Sequence, residues 1–351
     1  MPDVMAEKKK ITLTCAVDSY RSGWTVVEFL AHRFKYHTPE RWTERVRDGW
    51  VQVNGENVEP DHIVAKDDSI TYTIWHAEPE VDFKYDVIYE DDYLLAVSKS
   101  GNIPVHACGV YIQNTLIATL KNIYGDHLNL AHRLDRETSG VVLLTKDPQT
   151  ARVMGKMFAA GEVEKTYLAV VHGLITGESF DVDAPIGKTM EEATGRFSGD
   201  ELDSDLAADL PRYVPRRRVV LEGGKPAVTR FEVVERFGNH TLVRAIPRSG
   251  RTNQIRVHLE HIGHPIVGDK VYRPAGPGTS ARLLGSSVDR PVGSPEEATE
   301  GKTVRAPVLI ERQALHCNIL TFDHPMTGAA MRLFAETPAD FNELISRLAV
   351  R

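Results

Sequence analysis

The chain is poor in cysteine: three are present among 351 residues, Cys15, Cys108 and Cys317, and they lie far apart. An odd number with no Cys-x-x-Cys spacing argues against a disulfide framework and against a zinc site built on cysteines. We interpret the three as small buried side chains and predict no metal site.

Long apolar runs are also missing. No segment approaches the roughly 18 to 20 uninterrupted apolar residues that a membrane helix needs. The start, MPDVMAEKKK, lacks the apolar stretch of a secretory signal. We therefore expect a cytoplasmic protein with no membrane partner.

Positive charge is not in excess either, since 42 Lys and Arg stand against 49 Asp and Glu, a formal net charge of −7. This balance argues against a protein that coats nucleic acid by bulk electrostatics, because that mode neutralises many phosphates with Lys and Arg. The acid is unevenly spread, so local basic surfaces can exist elsewhere. One segment is especially acidic, with Glu191, Glu192, Asp200, Glu201, Asp203, Asp205 and Asp209.

The most informative stretch of the sequence is HRLDRETSG, residues 132–140, followed by the apolar, β-prone run VVLLT. This pattern predicts a buried strand entered through a polar turn, where catalytic side chains are common. Asp135 lies between Arg133 and Arg136, whose charges should hold its carboxylate ionised, as a nucleophile or general base requires. A purely structural alternative is that Asp135 caps a turn and the arginines form exposed ion pairs.

The same stretch resembles HRLDxxTSG, the catalytic signature of the RluA family of RNA pseudouridine synthases, at seven fixed positions of nine. The resemblance implies an α+β catalytic domain, built on a mixed, largely antiparallel sheet with flanking helices. It implies that Asp135 is the catalytic nucleophile. It also implies that Arg133 fills the gap left in the RNA stack when the target uridine swings out.

Three further motifs follow the family in order. Residues 99–106 resemble KPxGxxVH, with Ser100 in place of proline, and residues 165–167 resemble K-x-Y. By resemblance Tyr167 packs on the target uridine and is a candidate base for the late proton abstraction. Stacking on a base contributes about 1–3 kcal/mol. The structural alternative for Tyr167 is an ordinary core residue of a strand.

Residues 250–259 resemble GRTHQIRVHL, with Asn253 in place of histidine, which we regard as tolerable because both side chains donate hydrogen bonds. In the family the matching arginine, here Arg256, pairs with the catalytic aspartate. Such a fixed counter-charge suits a carboxylate in a partly dry pocket. Arg251 serves either phosphate or structure. The alternation of Ile255 and Val257 predicts a strand with these two side chains facing the core.

Pseudouridine formation breaks an N-glycosidic bond and rejoins the base to the same sugar carbon through C5. A carboxylate nucleophile suits this chemistry, and no metal or organic cofactor is required. The uridine must first be extruded from its helix or loop. Whether the carboxylate attacks the sugar carbon or the base ring stays open.

The N-terminal part contains a predicted helix that begins after Thr38 and carries Arg41, Arg45 and Arg47, followed by a strand, an Asn-Gly turn and a second strand. Together these elements resemble the alpha-L motif, a small α/β RNA-binding domain first described in a ribosomal protein. We expect the three arginines to contact RNA; the alternative is a solvated helix face. Asp67 departs from the glycine that is common at its position.

These patterns divide the chain into a polar tail (1–11), the alpha-L-type domain (12–78), a linker (79–85) and the catalytic domain (86–351). Two surface insertions are predicted, at 188–215 and 274–303. We expect a monomer that binds RNA through Arg133, Arg136 and Arg251 as well as the N-terminal arginines, and the RNA is either ribosomal or transfer RNA.

Two alternatives to an RNA pseudouridine synthase remain at this point. One is a non-catalytic RNA-binding protein on the same scaffold, which a loss of Asp135, Tyr167 or Arg256 would have favoured. The other is a zinc-dependent base deaminase, suggested by His76-Ala77-Glu78 alone, since no Pro-Cys-x-x-Cys follows.

Overall fold

The computed structural model describes residues 9–34, 37–76, 78–188, 217–273 and 309–350. Residues 1–8 of the predicted tail, residues 189–215 of the first predicted insertion and all of the second, 274–303, therefore lie outside the described residues. The described chain forms two compact units. Among the described residues, the first contains those up to Val81 together with His106–Ala118; the second contains Asp82–Val105 and the described residues from Thr119 onward.

The first unit is a four-stranded antiparallel sheet with two helices. Its elements are β1 (Lys9–Ala16), α1 (Val26–Arg33), α2 (Pro39–Arg47), β2 (Val51–Val53), β3 (Glu56–Asn57) and β4 (Ser69–His76). The strand order is β1-β4-β2-β3. Strand β1 begins at Lys9, so the last residues of the predicted tail belong to the sheet.

Local sequence explains both helices. The Thr25 hydroxyl accepts from the Glu28 N–H and the Glu28 carboxylate accepts from the Thr25 N–H, a capping box at the start of α1. The Thr38 hydroxyl accepts from the Arg41 N–H at the start of α2, as predicted. Trp42 of α2 is fully buried in the core of this unit.

The second unit is built on a ten-stranded sheet of order β10-β13-β14-β9-β15-β8-β6-β5, with β16 beside β15 and β7 beside β8. Its strands are β5 (Tyr85–Glu90), β6 (Leu94–Lys99), β7 (Asn129–Leu130), β8 (Ser139–Thr145), β9 (Glu164–His172), β10 (Ser179–Asp183), β13 (Val228–Phe237), β14 (His240–Pro247), β15 (Leu315–Asp323) and β16 (Ala330–Phe334). A separate pair consists of β11 (Ile186–Lys188) and β12 (Arg218–Val220). Within the large sheet β15 and β8 are parallel and the other pairings are antiparallel, so the predicted mixed, largely antiparallel sheet is confirmed.

Four helices complete the described chain: α3 (Leu116–Tyr124), α4 (Pro148–Ala160), α5 (Gln254–His261) and α6 (Ala339–Ala349). Helix α4 is capped at its start, because the Asp147 carboxylate accepts from the Gln149 and Thr150 N–H groups at 2.8 and 2.9 Å. Helix α6 buries Phe341, Leu344 and Leu348 on one face. None of the helices in the described part has the length and apolar character needed to cross a membrane.

The prediction of a strand around Arg256 was wrong, because these residues form helix α5. Every residue from Gln254 to Leu259 is buried. An apolar-polar alternation identifies a strand only when one face meets water. Here the polar side chains are buried as well and pair with other buried groups. The alternation therefore does not distinguish a strand from a helix.

Strand β8 follows the Asp135 loop and is buried along its whole length. Gly140, at its start, has φ +110°, and a Cβ added there would lie 2.1 Å from the carbonyl oxygen of Cys317 on β15. Only glycine fits, because the conformation disfavours other residues and the space is already occupied. The end of the catalytic motif is therefore fixed by close backbone packing.

Candidate active site

Asp135 and Arg256, 121 residues apart in sequence, are directly bonded in the fold. Arg256 donates from Nη1 to Asp135 Oδ2 at 2.8 Å. The turn that holds Asp135 is closed by the Thr138 N–H, which donates to the Asp135 carbonyl at 3.1 Å. The Asp135 side chain remains 35% exposed, so a carboxylate oxygen can meet a ligand while its charge is balanced.

Asp269 holds the Arg256 guanidinium from the other side. The Arg256 Nε and Nη2 donate to the two Asp269 oxygens at 2.6 and 2.9 Å. The Asp269 side chain is fully buried and also accepts from the Val271 and Tyr272 N–H groups at 2.9 Å. Burial disfavours the Arg256 charge, but the bonds to Asp269 and Asp135 more than offset this and raise its pKa above the usual value. The guanidinium is thus a permanent, immobile cation.

Tyr272 packs on the same guanidinium, with the Arg256 Cζ 4.9 Å from the ring centroid. The Tyr272 hydroxyl accepts from Asn253 Nδ2 at 3.2 Å and from the Arg218 N–H at 2.9 Å. Asn253, which stands where the family has histidine, therefore does donate a hydrogen bond, as expected. Its left-handed backbone (φ 58°) is a conformation that Asn tolerates.

The Asp135 loop is held from behind by two buried cations. Lys99 donates from Nζ to the carbonyl oxygens of Arg136 and Ser100 at 3.0 and 2.8 Å. Arg312 donates from Nη1 to the Glu137 carbonyl at 3.1 Å and forms a bidentate pair with Asp340. Burial, together with the charge of Arg312, lowers the pKa of Lys99 to about 7.

Side chains on both sides of Asp135 in the sequence also hold the loop in place. Gln313 donates from Nε2 to the Thr138 hydroxyl at 2.6 Å. His132 accepts from the Leu143 N–H through Nε2 at 3.1 Å. Burial, followed by the charge of Lys165, lowers the pKa of His132 to about 3, so this imidazole is neutral.

Asp135 and Arg256 line a pocket of about 550 Å³ that also contains Tyr167, Lys165 and Arg251. This volume is within the range of about 300–1,000 Å³ typical of small-ligand sites. Burial, then the neighbouring Cys317 and Asp135, raises the pKa of Tyr167 well above its ordinary value. The phenol is therefore protonated in the free protein. The pocket combines a balanced carboxylate with an aromatic wall and an open mouth.

The comparisons with known proteins agree with this geometry. Residues 93–261 match the family model described as RNA pseudouridylate synthase. The chain is 31% identical to the ribosomal large subunit pseudouridine synthase D of Pseudomonas aeruginosa, over 339 residues that cover 93% of this chain and 92% of that protein. The chain belongs to the RluA family of RNA pseudouridine synthases.

Two further matches concern this synthase. It is 31% identical to the uncharacterized RNA pseudouridine synthase YlyB of Bacillus subtilis, over 317 residues that cover 86% of this chain and 87% of the relative. The solved structure of human RNA Pseudouridylate Synthase Domain Containing 4 matches with a TM-score of 0.52 and 26% identity, covering 75% of this chain and 92% of that one. The synthase is an isomerase that acts on RNA, so the non-catalytic and deaminase alternatives are set aside.

The predicted RNA-binding arginines of the second unit fall into two groups. Arg133 and Arg251 are exposed and line the Asp135 pocket. The Arg251 Nε also donates to the Pro226 carbonyl at 3.1 Å, so it has a structural contact as well. Arg136 instead lines a separate cavity of about 400 Å³ and pairs with Glu137 at 2.8 Å. It is Arg256, rather than Arg136, that bonds the Asp135 carboxylate.

The predicted basic face of helix α2 is only partly present. Arg41 and Arg47 are exposed, and Arg41 pairs with Glu44 at 2.8 Å. Arg45 is 5% exposed, which corrects its assignment to that face. Its guanidinium lies 5.5 Å from the Trp50 ring centroid and donates to the Thr73 carbonyl at 3.3 Å. A long arginine stem can pack with the apolar side of a helix, which a charge pattern does not reveal.

Several functional residues escaped the sequence reasoning. Asp269 and Lys165 stood inside segments that resemble the family but had no predicted role, and Arg312 was not singled out. Arg312, like Asp269, shows its function only through a partner distant in sequence. The available signal was a charged residue beside strongly apolar neighbours, which is a reason to look for a buried partner.

Proposed function

We propose that this synthase isomerises uridines of large-subunit ribosomal RNA, with Asp135 as the nucleophile. The observation that carries the proposal is the 2.8 Å bond from Arg256 to a carboxylate that still opens into a nucleotide-sized pocket. A carboxylate in this setting has a fixed counter-charge and still has access to the substrate.

The reaction begins with extrusion of the target uridine, which costs a few kcal/mol in a structured RNA. Arg133, exposed at the pocket and two residues before Asp135, fills the vacated position in the stack. The uracil ring packs against Tyr167. Asp135 then attacks either the sugar carbon or the base ring. Tyr167 is protonated at the outset, so a role as the late base requires it to lose its proton after the substrate has bound.

Ribosomal RNA is favoured over transfer RNA by the named relatives. The Pseudomonas aeruginosa protein, which is matched over 92% of its length, is called a ribosomal large subunit pseudouridine synthase. The N-terminal unit adds the exposed Arg41 and Arg47 as phosphate contacts of an alpha-L-type RNA-binding domain. Against this, residues 106–116 resemble the branch of the family that acts on transfer RNA. We place the synthase in the cytoplasm, where such RNA is met.

Tritium release tests the nucleophile, because bonding C5 to the sugar expels the hydrogen at C5. RNA labelled with tritium at uridine C5 is incubated with the purified chain, its Asp135→Asn variant and, as a matched control, Asp92→Asn, which changes an exposed aspartate. We expect release by the wild type and the control, and a loss on the order of 10⁴-fold or more for Asp135→Asn. Undiminished release by Asp135→Asn would place the nucleophile elsewhere.

The RNA class is tested with the same label. Large-subunit ribosomal RNA and total transfer RNA, both transcribed without modification, are compared at equal uridine concentration. We expect release from the ribosomal transcript, saturating at one or a few uridines, and little from transfer RNA. Release confined to transfer RNA would overturn the ribosomal assignment while leaving the role of Asp135 intact.

A further inference from the structure

Lys165 is a buried cation that the mechanism above does not use. It lies on β9, two residues before Tyr167, so both side chains leave the strand on the same face. Lys165 is 9% exposed and lines the Asp135 pocket. Among the residues that the structure describes, its ammonium has no hydrogen bond or ion pair. The ammonium lies 5.8 Å from the centroid of the Phe158 ring.

A mostly buried lysine whose ammonium faces a pocket and has no hydrogen-bond acceptor from the described part of the chain is unfavourable, so its retention in the pocket wall calls for an acceptor from outside the chain. Burial lowers the pKa of Lys165 from its ordinary value, an effect that Cys317 partly opposes. The protein thus leaves this charge incompletely balanced, whereas it surrounds Arg256 with two carboxylates. A ligand with electron-rich oxygens would complete the site.

We propose that Lys165 binds the uracil ring of the extruded uridine through a ring carbonyl oxygen, and that its charge stabilises the electrons the ring receives when the base leaves the sugar. This inference rests on the proposed function, in which Tyr167 and Asp135 flank that ring. Lys165 is thereby a substrate-contacting residue and an electrostatic catalyst. A preorganised cation at the atom where charge develops is the most effective form of such assistance.

The electron balance of the step identifies which oxygens matter. The bond between the sugar C1′ and uracil N1 breaks, and its electron pair stays on uracil, delocalised over N1 and the ring carbonyl oxygens. The Asp135 oxygen bonds to C1′ in its place. After the ring turns, its electrons form the C5–C1′ bond and the carboxylate leaves with its own pair. C5 then loses its proton and N1 gains one, so no oxidant or reductant is needed. If Asp135 adds to the ring instead, the ring oxygens still receive the charge.

A base carbonyl fits this ammonium better than a phosphate does. Lys165 is nine-tenths buried beside Tyr167, in the wall against which the base packs. The exposed Arg251 of the same pocket is the cation placed to contact the sugar-phosphate backbone. In this arrangement the charge at the pocket mouth is well hydrated, whereas the Lys165 ammonium beside the uracil ring is largely shielded from water.

The test compares Lys165→Met, which keeps the length of the side chain without its charge, with Lys165→Arg and with Lys84→Met, an exposed control outside the pocket. Tritium release from C5-labelled large-subunit ribosomal RNA is measured under single-turnover and steady-state conditions. We expect Lys165→Met to lower the rate constant about 100-fold with KM changed by less than about threefold. Lys165→Arg should recover part of the rate, and the thermal midpoints should report intact folding.

The pH profile separates charge from packing. Of the titratable groups around Lys165, His132 is neutral above a pKa of about 3 and the Cys317 thiol has a pKa of about 12. The pKa of Tyr167 is raised well above its ordinary value and that of Arg256 is also raised, so neither loses its proton first. The wild-type rate should therefore fall as pH rises and Lys165 loses its proton, whereas Lys165→Arg should stay active to higher pH. Ionisation of uridine itself affects both proteins equally.

Each outcome decides the proposal. A folded Lys165→Met variant with a rate within about twofold of the wild type would overturn it, as would identical pH profiles for Lys165→Arg and the wild type. If the wild type releases tritium and Asp135→Asn does not, such a result removes only the role of Lys165. If the wild type releases no tritium, the proposed function fails and this inference fails with it.

Discussion

Two buried arginines hold the Asp135 loop of this synthase, and each is itself held by an aspartate in the same bidentate geometry. Arg256 binds Asp269 and Arg312 binds Asp340, each through Nε and Nη2 at 2.6 and 2.9 Å. The remaining guanidinium nitrogen distinguishes them. In Arg256 it donates to the Asp135 carboxylate, and in Arg312 to the Glu137 carbonyl. The guanidinium of Arg256 therefore balances the charge of Asp135, whereas that of Arg312 fixes the position of the loop.

The partners differ in burial as well. The Asp269 side chain is fully buried, whereas that of Asp340 is 47% exposed. When its cation is removed, a buried carboxylate cannot be hydrated instead, whereas a half-exposed carboxylate can. Breaking the Arg256–Asp269 pair, beside the Asp135 pocket, should therefore destabilise the protein far more than breaking the Arg312–Asp340 pair.

The sharpest way to break the comparison is to remove each arginine. Arg256→Met should lower the free energy of unfolding by about 3–5 kcal/mol, because Asp269 is left buried and uncompensated. Tritium release should fall by about 10³-fold or more, since Asp135 loses its counter-charge. Arg312→Met should cost about 1–3 kcal/mol for the unsatisfied carbonyls and reduce release about 10-fold to 100-fold through misplacement of the loop. Urea unfolding and single-turnover rates give both numbers; equal losses of activity would contradict the distinction.

Replacing each aspartate by asparagine tests the same contrast and should have smaller effects. Asp269→Asn should cost about 3 kcal/mol, because its amide presents N–H groups toward a guanidinium that has only donors. Asp340→Asn should cost about 1 kcal/mol or less, as expected of a half-exposed pair. We expect tritium release to fall in the first variant and to stay close to wild type in the second. An Asp340→Asn protein as impaired as Asp269→Asn would show that exposure is not what separates the two pairs.

Lys99 sharpens the comparison because it holds the same loop with no aspartate among its hydrogen-bond partners. Its pKa in the folded chain is about 7, below the ordinary 10.5. Between these values the unfolded chain binds the extra proton, so stability should increase with pH, by about 2 kcal/mol from pH 7 to pH 9. A neutral amine still has two N–H groups for the Arg136 and Ser100 carbonyls. Urea unfolding across this range should show this rise in the wild type and not in Lys99→Met; parallel curves for the two proteins would refute the shift.

The sequence predicted local structure best where caps and turns are encoded nearby. Thr38 before α2 acts as predicted, and Asp147 caps α4 in the same way, because an N-cap contacts residues two or three positions away. The pairing of Asp135 with Arg256 was reached only through family resemblance, since no local pattern links residues 121 positions apart.

The misses have a common physical cause, which is burial of charge. Arg45 was expected on an exposed, RNA-contacting face, although its stem packs with Trp50 and the apolar side of α2. The residues around Arg256 were predicted as a strand from the alternate positions of Ile255 and Val257, although every residue from Gln254 to Leu259 is buried in a helix. Asp269, Arg312 and Lys99 are likewise buried ions or amines whose partners come from distant segments. Periodicity assigns such residues to the surface, and only the assembled fold shows otherwise.

The position of β15 has a consequence for when the synthase acquires activity. This strand, Leu315–Asp323, lies between β9, which carries Tyr167, and β8, which follows the Asp135 loop. On the ribosome both neighbours emerge long before it does, and until then β8 and β9 have no strand between them to pair with. A nascent chain that has exposed all of the catalytic motifs should therefore be unable to modify RNA until its central strand arrives, which protects nearby transcripts from a half-built enzyme.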